Sequence, residues 1–225
     1  MLNAALSTST SRHPVPASIK CGSPEPRSPL SLMGAPMRYP RNTEIFGEDE
    51  PAEYLYQVVS GAVRTYKMLD DGRRQVSAFY LPGDVFGFEA GETHATSAEA
   101  ISDSQILVIK RSALMARADH EKDLAQQLWT LTARELERTQ RHVLLLIKRA
   151  EERVAGFLLD MERRAAKAKA VELAMSRQDI ADYLGLTIET VSRTLTQLQQ
   201  TGVISLSSSR CVELRNRTAL AQLNA

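Results

Sequence analysis

Cysteine and histidine are scarce in this chain of 225 residues, which contains two cysteines and four histidines. Cys21 and Cys211 stand far apart, so they indicate free thiols of a reducing compartment and not the disulfide framework of a secreted protein. Two thiolates are also too few for an iron–sulfur cluster, which takes four. The scattered histidines do not form the ligand group of a metal-dependent enzyme. We therefore expect neither a disulfide scaffold nor a metal centre.

Long apolar runs and a strong net charge are missing as well. No segment has the roughly 20 consecutive apolar residues of a membrane-spanning helix, and residues 1–20 lack the apolar core of a signal peptide. The formal net charge is +1, so any charge that binds nucleic acid must be local. The sequence has neither a nucleophile–base pair nor a glycine-rich phosphate loop. These features predict a cytoplasmic protein that is not an enzyme and has no membrane partner.

What the sequence does contain is a helix-turn-helix pattern between Met175 and Leu195. The first helix has inward apolar residues at Ile180 and Leu184, and Gly185 follows where the chain must leave the helix in a left-handed conformation. Thr187 stands where a hydroxyl caps the next helix. The buried stripe of the second helix recurs at steps of four and three residues: Val191, Leu195 and Leu198.

A different face of the second helix carries side chains suited to reading bases. At about 100° per residue, positions i, i+1, i+4 and i+5 share one arc of about 140°; these are Ile188, Glu189, Ser192 and Arg193. A guanidinium bonds guanine O6 and N7, a carboxylate accepts from cytosine N4, and an apolar group touches a thymine methyl. Ser192 suits either a base or a phosphate. The alternative is an ordinary surface helix with an i to i+4 ion pair between Glu189 and Arg193.

The stretch from Arg177 to Arg193 resembles the DNA-binding signature of the CRP/FNR superfamily of transcription regulators. Its Glu-x-x-Ser-Arg element resembles the FNR branch, which implies TTGA-type half-sites. The resemblance also implies contacts to DNA phosphates from Ser176, Arg177, Gln178, Thr187 and Thr190. Farther on, Gly202–Leu206 and Arg210–Leu214 alternate around a turn and predict the two strands of a wing. Arg210 is either another phosphate contact or a solvated wing tip.

A long helix is predicted from Leu124 to Arg164, with a break before the DNA-binding domain. Its apolar residues drift between heptad and 3.6-residue spacing, so a regular coiled coil is not predicted. The resemblance implies that this element pairs across a two-fold axis, and a palindromic site demands such a homodimer. The predicted dimer contacts are Leu128, Leu131, Leu136, Val143 and Leu146. Some of these leucines are expected to pack instead on the chain's own N-terminal domain.

Short β-rich runs separated by glycine-containing turns occupy residues 37–120. Between Ala62–Leu69 and Gln75–Leu81, the dipeptide Asp71-Gly72 is a strong hairpin signal. The pattern predicts a closed antiparallel β-roll, which the resemblance implies is the family's sensor domain. The predicted fold class is α+β, with a flexible tail at 1–36, the β-roll at 37–120, a dimerisation helix at 121–150 and a winged helix-turn-helix domain at 151–225.

Binding of a cyclic nucleotide is not predicted for this roll. The family holds the cyclic phosphate with Gly-Glu-Leu followed by Arg-Ser, but here Gly83-Asp84-Val85 replaces the first part and Gly91–Ala100 has no arginine. Without that cation a buried phosphate is uncompensated. Haem is harder to exclude because one histidine suffices, although His142 is expected to be a surface or interface residue and not an axial ligand. We therefore predict no cofactor.

Without nucleotide or cluster motifs, activity is expected to follow the amount of protein, as in the FixK branch, which the pattern from Arg38 to Ala225 resembles most. The resemblance implies an activator of microaerobic respiration and nitrogen-fixation genes that contacts RNA polymerase through exposed loops, one around Asp70–Arg74. The alternative is a ligand-gated FNR-type regulator that responds to haem or nitric oxide. Repression by occlusion stays open for some promoters, and oxidation of Cys211 near the DNA is a further hypothesis.

Overall fold

A computed structural model of the chain describes residues 30, 33–164 and 170–224. Cys21 and most of the predicted tail at 1–36 lie outside the described residues. The N-terminal part is built from two antiparallel four-stranded sheets, and the C-terminal part combines helices with a three-stranded sheet. The predicted α+β class, with a β-roll before a helical domain, is confirmed.

The roll is held together by one apolar cluster between its two sheets. Its strands are β1 Ala35–Tyr39, β2 Glu44–Phe46, β3 Tyr54–Ser60, β4 Val63–Met68, β5 Arg74–Tyr80, β6 Val85–Phe86, β7 Ser97–Ala100 and β8 Ser104–Lys110. One sheet has the order β1-β8-β3-β6 and the other the order β2-β7-β4-β5. Buried side chains of both sheets meet in the cluster, among them Phe46, Tyr56, Val63, Tyr80, Phe86 and Ile106.

The hairpin predicted at Asp71-Gly72 joins β4 to β5. The strands pair antiparallel with Met68 opposite Arg74, and the Leu69 N–H donates to the Arg73 carbonyl at 2.8 Å. Gly72 has a φ of 81°, a conformation that a residue with a Cβ adopts only at a cost. We call residues 69–73 the β4–β5 hairpin tip; all of them are exposed.

Part of the predicted tail at 1–36 belongs to the fold. Ala35 pairs with Val108 and Pro36 with Leu107 in β1, and Leu30 is fully buried. Because β1 lies at a sheet edge it accommodates a proline, which is unfavourable inside a sheet. A short proline-containing strand of this kind gives little sequence signal.

The helices are α1 Arg111–Ala118, α2 Lys122–Leu146, α3 Ala150–Arg164, α4 Arg177–Leu184, α5 Ile188–Gln200 and α6 Arg217–Leu223. The long helix predicted over 124–164, with a break before the DNA-binding domain, corresponds to α2 and α3, which separate at residues 147–149. The wing consists of β9 Val171–Glu172, β10 Ile204–Leu206 and β11 Cys211–Leu214, and β9 is too short to have been predicted. Among the described helices, none has the length and apolar content needed to cross a bilayer.

A second buried cluster continues from the roll into the C-terminal domain. It contains Val76 and Phe79 of β5, Phe157 of α3, Tyr183 of α4 and Val191 of α5. The Phe79 and Tyr183 rings have centroids 5.1 Å apart. The roll and the helix-turn-helix therefore share apolar contacts across their boundary.

Candidate nucleic-acid interface

The helix-turn-helix has a specific cap or turn at each of its junctions. At the start of α4, Ser176 Oγ accepts from the Asp179 N–H at 3.1 Å, and the Asp179 carboxylate accepts from the Ser176 N–H at 2.9 Å. The helix ends at Gly185, whose φ of 60° is the predicted left-handed conformation. Thr187 Oγ1 then caps α5 by accepting from the Thr190 N–H at 3.2 Å. These bonds fix the angle between α4 and α5.

The two faces of α5 divide as the apolar spacing predicts. Ile188, Glu189, Ser192 and Arg193 are all exposed in the described chain. Ile188 is 37% exposed although it is apolar, so this face presents an apolar group beside two charged ones. The buried face consists of Val191, Thr194, Leu195 and Leu198.

In the described residues, the two charged side chains of the exposed face do not form an ion pair with each other. Hydrogen bonds from its own backbone N–H and from the Thr187 hydroxyl, together with the charge of Arg193, lower the pKa of Glu189. Within the described residues, Arg193 acts on Glu189 through its charge and not through a direct ion pair. The carboxylate is therefore ionised at neutral pH and free to accept a hydrogen bond from a base.

Three of the predicted phosphate-contacting residues lie at or near the start of α4 or α5. The Thr187 and Thr190 hydroxyls are 3.1 Å apart at the N-terminus of α5, an end that favours anions. Arg177 is half-buried at the start of α4, and burial lowers its pKa. In the part of the chain that the structure describes, its buried Nη1 has no hydrogen-bond partner.

The other two predicted phosphate contacts are engaged inside α4. Ser176 Oγ donates to Asp179 Oδ2 at 2.7 Å, and Gln178 Nε2 donates to Asp182 Oδ1 at 2.6 Å. Asp179 was not predicted as a functional residue, yet it is a carboxylate that is only 4% exposed. The available signal was the Ser-x-x-Asp spacing of a capping box.

The predicted dimer contacts on α2 separate into inward and outward residues. Leu128 and Leu131 are half-buried and pack on the cluster around Leu30 and Leu114, as was expected for some of these leucines. Leu146 is half-buried and lines a cavity between α2 and the roll. These leucines face inward because one side of α2 covers the roll. By contrast, Leu136 and Val143 are 58% and 57% exposed.

Three further apolar residues on α2 or directly after it are exposed and were not predicted as dimer contacts. Trp129, Leu144 and Ile147 are 76%, 59% and 79% exposed. Trp129, Leu136 and Val143 follow one another at intervals of seven residues, and Ile147 comes four residues later, which is the spacing of a coiled-coil seam. We call these four residues the α2 stripe. The inward leucines between them obscured this spacing in the sequence.

The cavity between α2 and the roll has a volume of about 320 Å³. Its polar lining consists of hydroxyl, amide, carboxyl and imidazole groups, and no lysine or arginine lines it within the described residues. Arg111 is turned to the neighbouring loop, where it donates to the carbonyls of Glu89 at 2.6 Å and Gly91 at 3.0 Å. The lining therefore offers no cation to a cyclic phosphate.

The two histidines nearest this cavity are both enclosed by protein groups. His142 was expected at the surface or an interface; it is buried between α2 and α4, where its ring stacks on Tyr183 at 3.9 Å and its Nε2 donates to the Tyr183 carbonyl at 2.7 Å. His94 stacks on Phe46 at 3.6 Å. Across residues 30, 33–164 and 170–224, no three His, Cys, Asp or Glu side chains are grouped as metal ligands.

The buried imidazole of His142 predicts a pH dependence of stability. Burial lowers the pKa of His142 below its usual value of 6.5, so the unfolded chain binds this proton more readily than the folded one. The stabilisation is present above pH 6.5 and is lost as the pH falls below that value.

In urea unfolding between about pH 7 and about pH 5, His142→Gln should lose less free energy of unfolding than the wild type. His120→Gln, at an exposed site, should match the wild type; equal slopes for all three proteins would contradict this account.

Comparison with known proteins identifies the family. Residues 152–223 match the Crp-like helix-turn-helix domain, and residues 36–120 match the cyclic nucleotide-binding domain. A nitrogen fixation regulation protein FixK of Azorhizobium caulinodans is 54% identical over 209 residues, covering 90% of this chain and 84% of that protein. The chain belongs to the CRP/FNR family. FixK of Rhizobium meliloti is 41% identical over 197 residues, covering 84% of this chain and 90% of that protein.

The three-dimensional comparison agrees with the sequence comparison. The structure of FixK2 from Bradyrhizobium japonicum matches this CRP/FNR protein with a TM-score of 0.82 and 54% identity, covering 85% of this chain and 98% of that one. The predicted resemblance to the FixK branch is confirmed, and the protein is a DNA-binding transcription regulator and not an enzyme. The ligand-gated FNR-type alternative is not favoured.

Proposed function

We propose that this CRP/FNR protein is a cytoplasmic activator of microaerobic respiration and nitrogen-fixation genes, which binds TTGA-type palindromes as a homodimer without an effector. The observation that carries the proposal is the exposed face of α5, where Ile188, Glu189, Ser192 and Arg193 stand together. Relatives named nitrogen fixation regulation protein FixK support the choice of target genes.

The chemistry of that face suits the proposed half-site. TTGA contains one G·C pair, and a guanidinium and a carboxylate can read its two bases, because guanine offers two acceptors and cytosine a donor in the major groove. Arg193 and the ionised Glu189 provide these two groups. Ile188 supplies an apolar contact for a thymine methyl. Thr187 and Thr190, at the N-terminus of α5, are placed to hold a phosphate and set the register.

The α2 stripe supports the homodimer. Its four apolar side chains are exposed in the single chain, and a contiguous apolar stripe on a helix is stabilised when a partner covers it. A second copy supplies an identical stripe across a two-fold axis. The same axis then relates two α5 helices, which a palindromic site requires.

Exposed groups on the roll support the proposed contact with RNA polymerase. The β4–β5 hairpin tip carries Leu69, which is 37% exposed, beside the charged Asp71 and Arg73. Met68, at the end of β4, is 52% exposed. This mixture of apolar and charged groups is typical of a protein-binding surface.

The surroundings of the cavity support action without an effector. Among residues 30, 33–164 and 170–224, none that lines it is a cation for a phosphate, and Arg111 is already engaged with backbone carbonyls. His94 stacks on Phe46, and burial lowers its pKa. In the described residues, the cavity therefore lacks the cation that a cyclic nucleotide requires.

A gel-shift titration with protein purified in air and no added ligand tests this proposal. We expect a TTGA palindrome to bind more tightly than a scrambled duplex of the same composition, and a mismatch at the G·C pair to cost about 1–3 kcal/mol. Addition of cyclic AMP should leave the titration unchanged, since the cavity has no cation for its phosphate. Binding that appears only after cyclic AMP is added, or no preference for the palindrome, would refute the proposal.

A further inference from the structure

Two arginines of the roll extend to the first helix of the helix-turn-helix. Arg64, on β4, pairs with Asp179 and also with Glu99 at 2.9 Å. Arg74, at the start of β5, pairs with Asp179 at 2.8 Å and with Asp182 at 2.8 Å. Two acidic residues of α4 are thus held by guanidinium groups from the other domain.

The part of this network around Arg64 and Asp179 is shielded from water. The side chains of Arg64 and Asp179 are 10% and 6% exposed, and that of Glu99 is 16% exposed. Desolvation offsets much of the attraction in a buried ion pair, so such a pair contributes little net stability. Separating the partners is nevertheless costly, because each charge is then left buried alone. The network therefore specifies how α4 sits on the roll more than it stabilises the fold.

Asp179 has two structural roles at once. Its Oδ2 accepts from the N–H and the Oγ of Ser176 and so defines the start of α4. Its Oδ1 accepts from Arg64 and from Arg74 and so fixes α4 against the roll. Since the turn at Gly185 joins α4 directly to α5, the position of the reading helix follows that of Asp179.

The roll also packs against α2, the proposed dimer helix. Leu124 of α2 is fully buried in the cluster with Leu55 and Ile109 of the roll. The covalent link from α2 to the helix-turn-helix is a break at residues 147–149 followed by α3. The ion pairs, together with the contact between Phe79 and Tyr183, thus form a second route from the dimer helix to the reading helix, which does not pass through that break.

We propose that Arg64, Arg74, Asp179 and Asp182 form a positioning lock, which sets the separation of the two reading helices in the dimer and thereby the half-site spacing that it accepts. The inference rests on the proposed binding of a palindrome by a homodimer. One additional base pair between half-sites rotates one against the other by about 35° and moves it by about 3.4 Å. A locked dimer follows this change only by breaking the buried pairs, whereas in an unlocked dimer only the apolar contacts between β5 and α4 resist adaptation at the break between α2 and α3.

The spacing profile of the protein tests the lock. Gel-shift titrations use palindromes with the preferred spacer, with one base pair more and with one base pair less, and a single half-site. We expect the wild type to prefer its spacer by about tenfold or more, and Arg74→Ala to reduce that preference severalfold while the single half-site is bound as before. Asp182→Ala, which leaves the Ser176–Asp179 cap intact, should act in the same direction.

The matched control is Arg73→Ala. Arg73 is a neighbour of Arg74 on the exposed hairpin tip, where its side chain is 77% exposed and pairs with Asp71, so its loss should leave the spacing profile unchanged. Circular dichroism verifies that each variant is folded, and Arg74→Gln, which removes the charge but keeps most of the side-chain volume, replaces Arg74→Ala if the alanine variant is not. Equal loss of affinity at all spacings, or an unchanged profile in folded variants of Arg74 and Asp182, overturns the lock. Failure of the wild type to bind any palindrome would instead refute the proposed function.

Discussion

Leu136→Glu is expected to abolish the dimer and to lower affinity for a palindrome by about 10²–10⁴-fold. Leu136 lies within the α2 stripe and is 58% exposed in the single chain. A leucine side chain contributes about 1.5–3 kcal/mol on burial, and two copies are lost in a symmetric dimer, which gives about 3–6 kcal/mol. The substitution also places two carboxylates near the two-fold axis, where they repel each other.

Light scattering coupled to size-exclusion chromatography measures the dimer, and gel-shift titration measures the affinity. The control is Thr130→Glu, which adds the same charge at an exposed site of α2 about 120° around the helix from Leu136. That variant should remain dimeric and bind the palindrome like the wild type. A dimeric Leu136→Glu with unchanged affinity would show that the α2 stripe is not the dimer contact.

The helix-turn-helix was predictable because its signals are local. Gly185 marks the left-handed turn, Thr187 the cap of α5, and the spacing of Val191 and Leu195 the buried face. Each depends on residues within one or two helical turns, so one segment of sequence contains all the information. The β4–β5 hairpin was predictable for the same reason, since Asp71-Gly72 specifies its turn.

The inward and outward sides of α2 were not predictable from spacing alone. Leu131 and Leu136 are equally apolar, but one packs on the roll and the other is exposed. Which leucine meets the roll depends on how α2 is docked, which no pattern within α2 records. The burial of His142 was not predictable for the same reason, because the Tyr183 ring that buries it belongs to α4.

The ion pairs of the positioning lock could not be predicted from local sequence at all. Arg64 and Asp179 are 115 residues apart in the chain, and both belong to segments whose local pattern is already explained by a strand and by a helix cap. A buried ion pair leaves no periodicity in the sequence. Only the packing of the roll against α4 brings these charges together.

Arg193→Ala is expected to cost about 1–3 kcal/mol on a TTGA palindrome and to remove the preference for guanine at that position. Arg193 is exposed on α5 and free of a direct ion pair with Glu189 in the described chain, so the loss reflects missing bonds to the base and not a disrupted fold. Arg193→Lys separates the two contributions of the side chain. Lysine keeps the positive charge but lacks the planar guanidinium that bonds guanine O6 and N7 together. Arg193→Lys should therefore lose most of the preference for guanine.

Arg177→Ala provides the contrasting outcome, because a phosphate contact carries no base information. Its loss should weaken specific and random duplexes by the same factor and reduce the salt dependence of binding, whereas Arg193→Ala should affect the specific duplex alone. Titrations of both variants on both duplexes at two salt concentrations distinguish the roles. Equal losses on specific and random duplexes for Arg193→Ala would mean that α5 contacts the DNA backbone and does not read its bases.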